Sequence, residues 1–124
     1  MKLKKYKKPQ AIEQLVFRVK PELIEKWIEA DYEIWTKGLA EWPGFAGKEI
    51  WVSRDRPGEV TALVYWSDYA LWKAIDPQWL AETEKQFEER FGAGSAELIG
   101  EAHNENQLLK VCETVEVQTG ETER

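Results

Sequence analysis

Residues 35–66, WTKGLAEWPGFAGKEIWVSRDRPGEVTALVYW, decide the fold. They read as the end of a helix, a Pro43-Gly44 corner, and two strands over 45–53 and 59–66 joined by a loop at 54–58. An Arg56-Pro57-Gly58 turn between two runs rich in β-branched and aromatic residues is a hairpin signal. Four of the seven tryptophans fall inside this stretch, so it also carries much of the packing surface. A helix expected before the hairpin and further helix after it give a βαββα plan.

Upstream, residues 11–19 alternate as a strand. Ala11, Glu13, Leu15, Phe17 and Val19 share one face; Ile12, Gln14, Val16 and Arg18 share the other. Neither face is fully polar, and a strand of that kind is covered on both sides. The chain's own helices supply one cover and a second subunit the other. Pro21 then opens a helix, where its fixed φ and missing N–H cost nothing. At 100° per residue, Leu23, Ile24, Trp27, Ile28, Ile34, Trp35 and Leu39 form one stripe, with Asp31 and Gly38 in its middle. This helix is expected to end before Pro43.

Downstream, Ser67 is expected to cap a short helix over 68–75 that turns Leu71, Trp72 and Ile75 inward. Asp76-Pro77 provides an N-cap and a first-turn proline for a longer helix reaching about Phe91. Its buried stripe is Leu80, Thr83, Phe87 and Phe91. Residues 92–95 form a linker. Residues 96–102 and 107–117 read as two further strand segments, interrupted by a polar loop at 103–106 that holds His103. The expected organisation is a basic N-terminal tail over 1–10, one domain over 11–117 and a C-terminal tail over 118–124.

A chain of 124 residues is long enough for one real core. Its net charge of −6 argues against nucleic acid as the main partner, because phosphate neutralisation needs a basic surface. No apolar run approaches the roughly 20 residues of a membrane helix. The opening MKLKKYKKPQ lacks the apolar stretch of a secretory signal, so a cytoplasmic location is expected. The five lysines in the first ten residues read as a solvated, disordered end. One cysteine, Cys112, excludes an intrachain disulfide and an all-cysteine metal site.

A strand, a long helix ending in PGF, a hairpin closing on a tryptophan, then Ser-Asp and a short helix together resemble the antibiotic biosynthesis monooxygenase superfamily, the dimeric α+β barrels. IEQLVFRV, EIWTKGLAEWPGFAGKEIWV and LWKAI are similar to a small bacterial branch of it with no assigned activity. The resemblance implies an α+β, ferredoxin-like subunit whose antiparallel sheet carries its helices on one face. It also implies a homodimer formed through the sheet faces and a ligand cleft between sheet and helices. Members include cofactor-independent monooxygenases and haem-degrading enzymes. The haem-degrading branch uses an asparagine on the first strand, a tryptophan ending the helix after the hairpin, and a histidine in the helix beyond. Here the first strand offers Glu13 and Gln14, the tryptophan position falls near Ile75, and 78–91 contains no histidine. That departure speaks against haem, and no cofactor is expected.

Asp31 and Glu13 are the candidate catalytic residues. Desolvation raises a carboxylate's pKa toward neutrality, which suits a general base. The competing reading of Asp31 is a buried carboxylate held structurally, paired with Lys48 or Arg18 or hydrogen-bonded to backbone. Trp27, Trp35, Trp51 and Trp72, with Gln14, are the candidate lining of a site for a small aromatic or hydrophobic ligand; the competing reading is core and interface packing. Trp66 is expected in the core at its strand end. Gly38 is expected to permit close helix–sheet approach. No metal site is expected, since a single histidine, His103, has no spaced partners. Two functions follow: a cofactor-independent oxygenase with a buried carboxylate base, or a non-catalytic dimer that binds a hydrophobic molecule.

Overall fold

The computed structural model describes residues 1–7, 10–104 and 112–116. Its central strand is β2 (Ala11–Val19), with the bounds and alternation expected. It pairs antiparallel with β4 (Glu59–Trp66) on one side and β5 (Ala96–Asn104) on the other, and β3 (Phe45–Val52) adds to the far edge of β4. The sheet order is therefore β3-β4-β2-β5. The hairpin falls where the Arg56-Pro57-Gly58 turn places it. The Val19 amide donates to the Gly58 carbonyl at 2.7 Å, which ties the hairpin loop to the end of β2.

All helices pack on one sheet face. The segment over 21–39 begins with a 3₁₀ turn at Pro21–Leu23 and continues as α1 (Ile24–Ala30). A π-helical stretch at Asp31–Thr36 follows, then α2 (Lys37–Leu39). The Lys37 amide donates to the Tyr32 carbonyl five residues back, so the helix holds an extra residue per turn here. The helix ends at Leu39, and a turn over 40–44 leads into β3 through Gly44, whose φ of +97° is the left-handed conformation a β-carbon disfavours.

The short helix is α3 (Tyr69–Lys73), and its cap differs from expectation. Asp68, not Ser67, adopts the extended backbone and accepts the Ala70 amide at 2.9 Å. A carboxylate one residue closer to the helix completes the same geometry with a full charge on the helix dipole. The long helix α4 (Pro77–Phe91) starts as expected, with Asp76 accepting from Gln78 N–H at 2.9 Å and Pro77 in the first turn.

Two apolar clusters lie between sheet and helices. One gathers Ala11, Leu39, Val64, Trp66 and Ile75; the other gathers Val19, Trp27, Ala30, Val60 and Phe87. Trp66 is fully buried at the end of β4, as expected. Gly38 serves a helix–helix contact instead of a helix–sheet one. A β-carbon there would stand 2.7 Å from the ring of Trp79 on α4.

Two expectations about the ends need correction. Lys2–Lys5 is strand β1, not part of a disordered tail, and pairs antiparallel with β6 (Cys112–Val115) in a separate two-stranded sheet. Lys2, Lys4 and Lys5 are all exposed on this ribbon, so their charges stay hydrated while the backbone is paired. His103 is not in a loop. β5 continues through it to Asn104, held by its pairing with Glu13 of β2. Of the strand expected over 107–117, only 112–115 is seen as β6; residues 105–111 and the tail over 118–124 lie outside the described residues. Among the described residues no helix is long and apolar enough to cross a membrane.

Candidate functional site

The alternation of β2 sends Glu13, Leu15 and Phe17 to the helix-covered face, where they floor a cavity of about 690 Å³. That lies within the roughly 300–1,000 Å³ usual for small-molecule sites. Neighbouring strands extend the floor: Lys48 from β3, Ala62, Val64 and Trp66 from β4, and Glu101 and His103 from β5. The helices roof it with Trp27, Asp31 and Trp35 from the first helical segment, Trp72 and Lys73 from α3, and Leu80, Glu84 and Phe87 from α4.

The π-helical stretch begins at Asp31 and aims it down onto the sheet. Its carboxylate sits 2.7 Å from Lys48 Nζ, with both side chains almost completely buried at 7% and 6% exposure. Burial pushes the Asp31 pKa up, against the pull of the Lys48 charge and hydrogen bond. Lys48 was one of the two cationic partners expected for Asp31. Arg18 points to the opposite face and reaches Glu97 at 4.0 Å.

Glu13 lies directly opposite Val64 and His103 in the sheet, and Lys48 opposes Val64 from the next strand. Glu13, Val64 and Lys48 therefore form a row across the cavity floor, and Asp31 reaches down to Lys48 from the roof. Burial raises the Glu13 pKa first of all; Lys73 and Lys48 pull it down and Glu101 pushes it up. The Trp66 indole N–H also acts to lower it, without closing a hydrogen bond. No ion pair closes on Glu13 among the described residues.

Beside Glu13 stands an aromatic wall. Tyr69 stacks on His103 with centroids 6.1 Å apart, and Trp72 meets the same imidazole edge-on at 5.7 Å. Trp72 lies parallel to Trp66 at 6.4 Å. Lys73 sits 4.4 Å over the Trp72 ring, so its ammonium is held near the cavity by a cation–π contact.

The structure sorts the expected ligand-contacting residues. Trp27, Trp35 and Trp72 line the cavity beside Asp31 and Glu13. Trp35 is also packed edge-on against Trp79 at 6.1 Å, so part of its ring belongs to the core. Trp51 and Gln14 do not reach the cavity. Both occupy the opposite sheet face, where Trp51 is 61% exposed and its indole donates to Glu49 at 3.1 Å. The reason is the period of two in a strand: Gln14 neighbours Glu13, and Trp51 neighbours the inward Ile50, so each points the other way.

Sequence reasoning missed Lys73, Glu101 and His103 as cavity residues. Glu101 and His103 were legible as alternating partners had β5 been extended by two residues. Lys73 carried no signal beyond following Trp72. Among the described residues no three His, Cys, Asp or Glu side chains converge to hold a metal ion.

No family model matches the chain, and no curated protein sequence does. Solved structures do. A Bordetella bronchiseptica protein provisionally named an antibiotic biosynthesis monooxygenase superposes with a TM-score of 0.58 at 15% identity, over 82% of this chain and all (100%) of that one. A Caulobacter crescentus protein of the same provisional name gives 0.58 at 13% identity, over 81% and 92%. A variant of SnoaB, a cofactor-independent oxygenase from Streptomyces nogalater, gives 0.50 at 16%, over 91% and 99%. The chain thus has the ferredoxin-like α+β fold of the antibiotic biosynthesis monooxygenase-like proteins, as its residues suggested. At these identities the likeness speaks for the fold, and the chemistry has to be argued from the cavity.

Proposed function

We propose that the cavity binds a small planar aromatic molecule bearing a phenolic or enolic hydroxyl, and that Glu13 takes its proton. The observation that carries this is a carboxylate of raised pKa, free of any ion pair among the described residues, in an aromatic-lined cavity large enough for a two- or three-ring ligand. Asp31 is the weaker base, because its charge is committed to Lys48. A deprotonated, electron-rich ring system can pass one electron to O₂ and recombine with the superoxide formed. For an activated methylene the hydroperoxide then loses water, so R₂CH₂ and O₂ give R₂C=O and H₂O without a cofactor. Anthrone, whose enol is such a phenol, is a suitable probe. The wild-type protein should consume O₂ with anthrone faster than buffer does, and Glu13→Gln should lower that rate by about 10²-fold or more while binding persists. Binding without O₂ uptake in the wild type would favour a non-catalytic binding protein. No binding at all would remove both readings.

The same reading includes a homodimer through the open sheet face. Ile12, Val16, Leu63 and Tyr65 are only half-buried there, beside the exposed Trp51. An apolar sheet face of this kind needs a cover. Light scattering should give twice the chain mass for the wild type and the chain mass for Trp51→Glu at micromolar concentration; a monomeric wild type would end this part of the proposal.

A further inference from the structure

Among the described residues four side chains flank Glu13 on the cavity floor, and one of them can take a proton. Ala11 and Leu15 stand two residues away on the same face of β2, and Val64 lies directly opposite on β4. The fourth is His103, directly opposite on β5. Facing residues of an antiparallel pair hold their β-carbons about 4.5–5.5 Å apart, so imidazole and carboxylate meet directly or through one water. β2 is an inner strand and β5 an edge strand. The imidazole therefore reaches the cavity from its rim, and it is open to solvent there. α3 clamps it: Tyr69 stacks on the ring, Trp72 meets it edge-on, and Lys73 lies over Tyr69 at 5.7 Å as well as over Trp72. A carboxylate inside the cavity and an imidazole facing water are thus held side by side across two strands.

We propose that His103 is the proton relay of the site, moving the proton that Glu13 takes from the ligand between the carboxylate and the solvent at the cavity rim. The inference rests on the reading of Glu13 as the base. The ligand's proton first forms an O–H bond on Glu13. That bond breaks as one imidazole nitrogen accepts the proton, and its electron pair stays on the carboxylate. Glu13 is then an anion again while the ligand still fills the cavity and keeps water from it. The imidazolium gives a proton to water from its other nitrogen. In a turnover two protons leave the methylene compound and two return to the oxygen that departs as water, so the relay carries none to the bulk on balance. His103 acts through Glu13, not on the reacting atoms of the ligand.

The other ionisable groups near the imidazole offer no equal route. Glu101, two residues back on β5, faces Leu15 instead of Glu13 and acts on Glu13 as a like charge. Tyr69 presents the face of its ring to the imidazole, not its hydroxyl. Lys73 is an ammonium and offers donors alone, and Lys48 is committed to Asp31. Only an imidazole combines an acceptor nitrogen with a donor nitrogen and changes charge near neutral pH as an ordinary property of its ring.

The test has two arms, both on the full chain. His103 is the only histidine in the sequence, so its ring resonances need no assignment. In a pH titration followed by NMR they should show, besides their own step, an inflection where Glu13 titrates, and Glu13→Gln should remove that inflection. The second arm is O₂ uptake with anthrone. His103→Ala should lower the rate by about 10-fold or more. Added imidazole should restore most of it, in proportion to the unprotonated imidazole present, and should leave the wild type and Glu13→Gln unchanged. Pyrrole, a ring of the same shape without a basic nitrogen, should restore nothing. Rescue by pyrrole as well as by imidazole, or a His103 titration unaltered by Glu13→Gln, overturns the relay and leaves His103 a packing residue under Tyr69 and Trp72. If His103→Ala fails to fold, the titrations of wild type and Glu13→Gln still decide. If the wild type takes up no O₂ with anthrone, the reading of Glu13 as the base fails first, and the relay fails with it.

Discussion

Two carboxylates share one cavity and live under different electrostatics. Asp31 has a lysine 2.7 Å away and Glu13 has none within ion-pair reach among the described residues. Burial raises the pKa of both. In one corner, however, the charge is answered by an ammonium that would itself be stranded without it. In the other, lysines act only from a distance. The contrast separates burial, which both groups share, from pairing, which only one has. Pairing makes a buried charge structural; its absence leaves a proton free to come and go.

The largest effect should come from breaking the pair. Asp31→Ala leaves Lys48 buried and unanswered, and should cost about 3–5 kcal/mol in denaturant-induced unfolding. Replacing both partners by apolar side chains, Asp31→Leu with Lys48→Met, should recover most of that loss. A single variant that loses less than about 1 kcal/mol would erase the distinction between the two corners.

Glu13→Gln should act with the opposite sign. A carboxyl whose folded pKa is raised binds more protons in the native state than in the unfolded chain, so stability falls as pH rises through that interval. The loss begins near the ordinary value of 4.5 and is complete above the raised one. Gln mimics the protonated form and escapes it. The variant should therefore be more stable than wild type by about 1–2 kcal/mol at pH 7. The gain should shrink to nothing below pH 4.5, as followed by unfolding at a series of pH values. A destabilised variant at neutral pH would mean that Glu13 is paired after all.

Glu84 gives the smallest effect and a control. Burial and its neighbour Glu88 raise its pKa too, but the side chain is largely open to solvent. Glu84→Gln should stabilise at pH 7 by less than about 0.5 kcal/mol, diminishing in added salt, because water screens the charge.

How much of this was legible follows from which forces leave a mark on sequence. β2, the hairpin and α4 were readable to within a residue or so, because alternation, Arg56-Pro57-Gly58 and Asp76-Pro77 are local signals. The pairing of Asp31 with Lys48 was legible as one of three alternatives, beside Arg18 and the backbone, since a carboxylate in an apolar stripe needs a partner but the stripe does not say which. Trp51 and Gln14 were misplaced for want of the strand phase: a tryptophan announces size, not side. β1 was hidden because its lysines carry the charge of a disordered end, while the backbone pairing that makes it a strand depends on β6, more than a hundred residues away. His103 was set in a loop by its polar neighbours and is held in β5 by a partner strand that composition does not reveal.

The π-helical stretch at Asp31–Thr36 has a last consequence. It works as a phase adjuster within a continuous helix. Residues before it, Trp27 among them, and residues after it, such as Leu39, are set at angles that an unbroken helix would not give. Removing one residue there would rotate one half against the other by about 100° while leaving both halves helical. A lineage carrying this fold can thus exchange the side chain that overlooks the cavity by changing its length by one, without substituting a single residue in the lining.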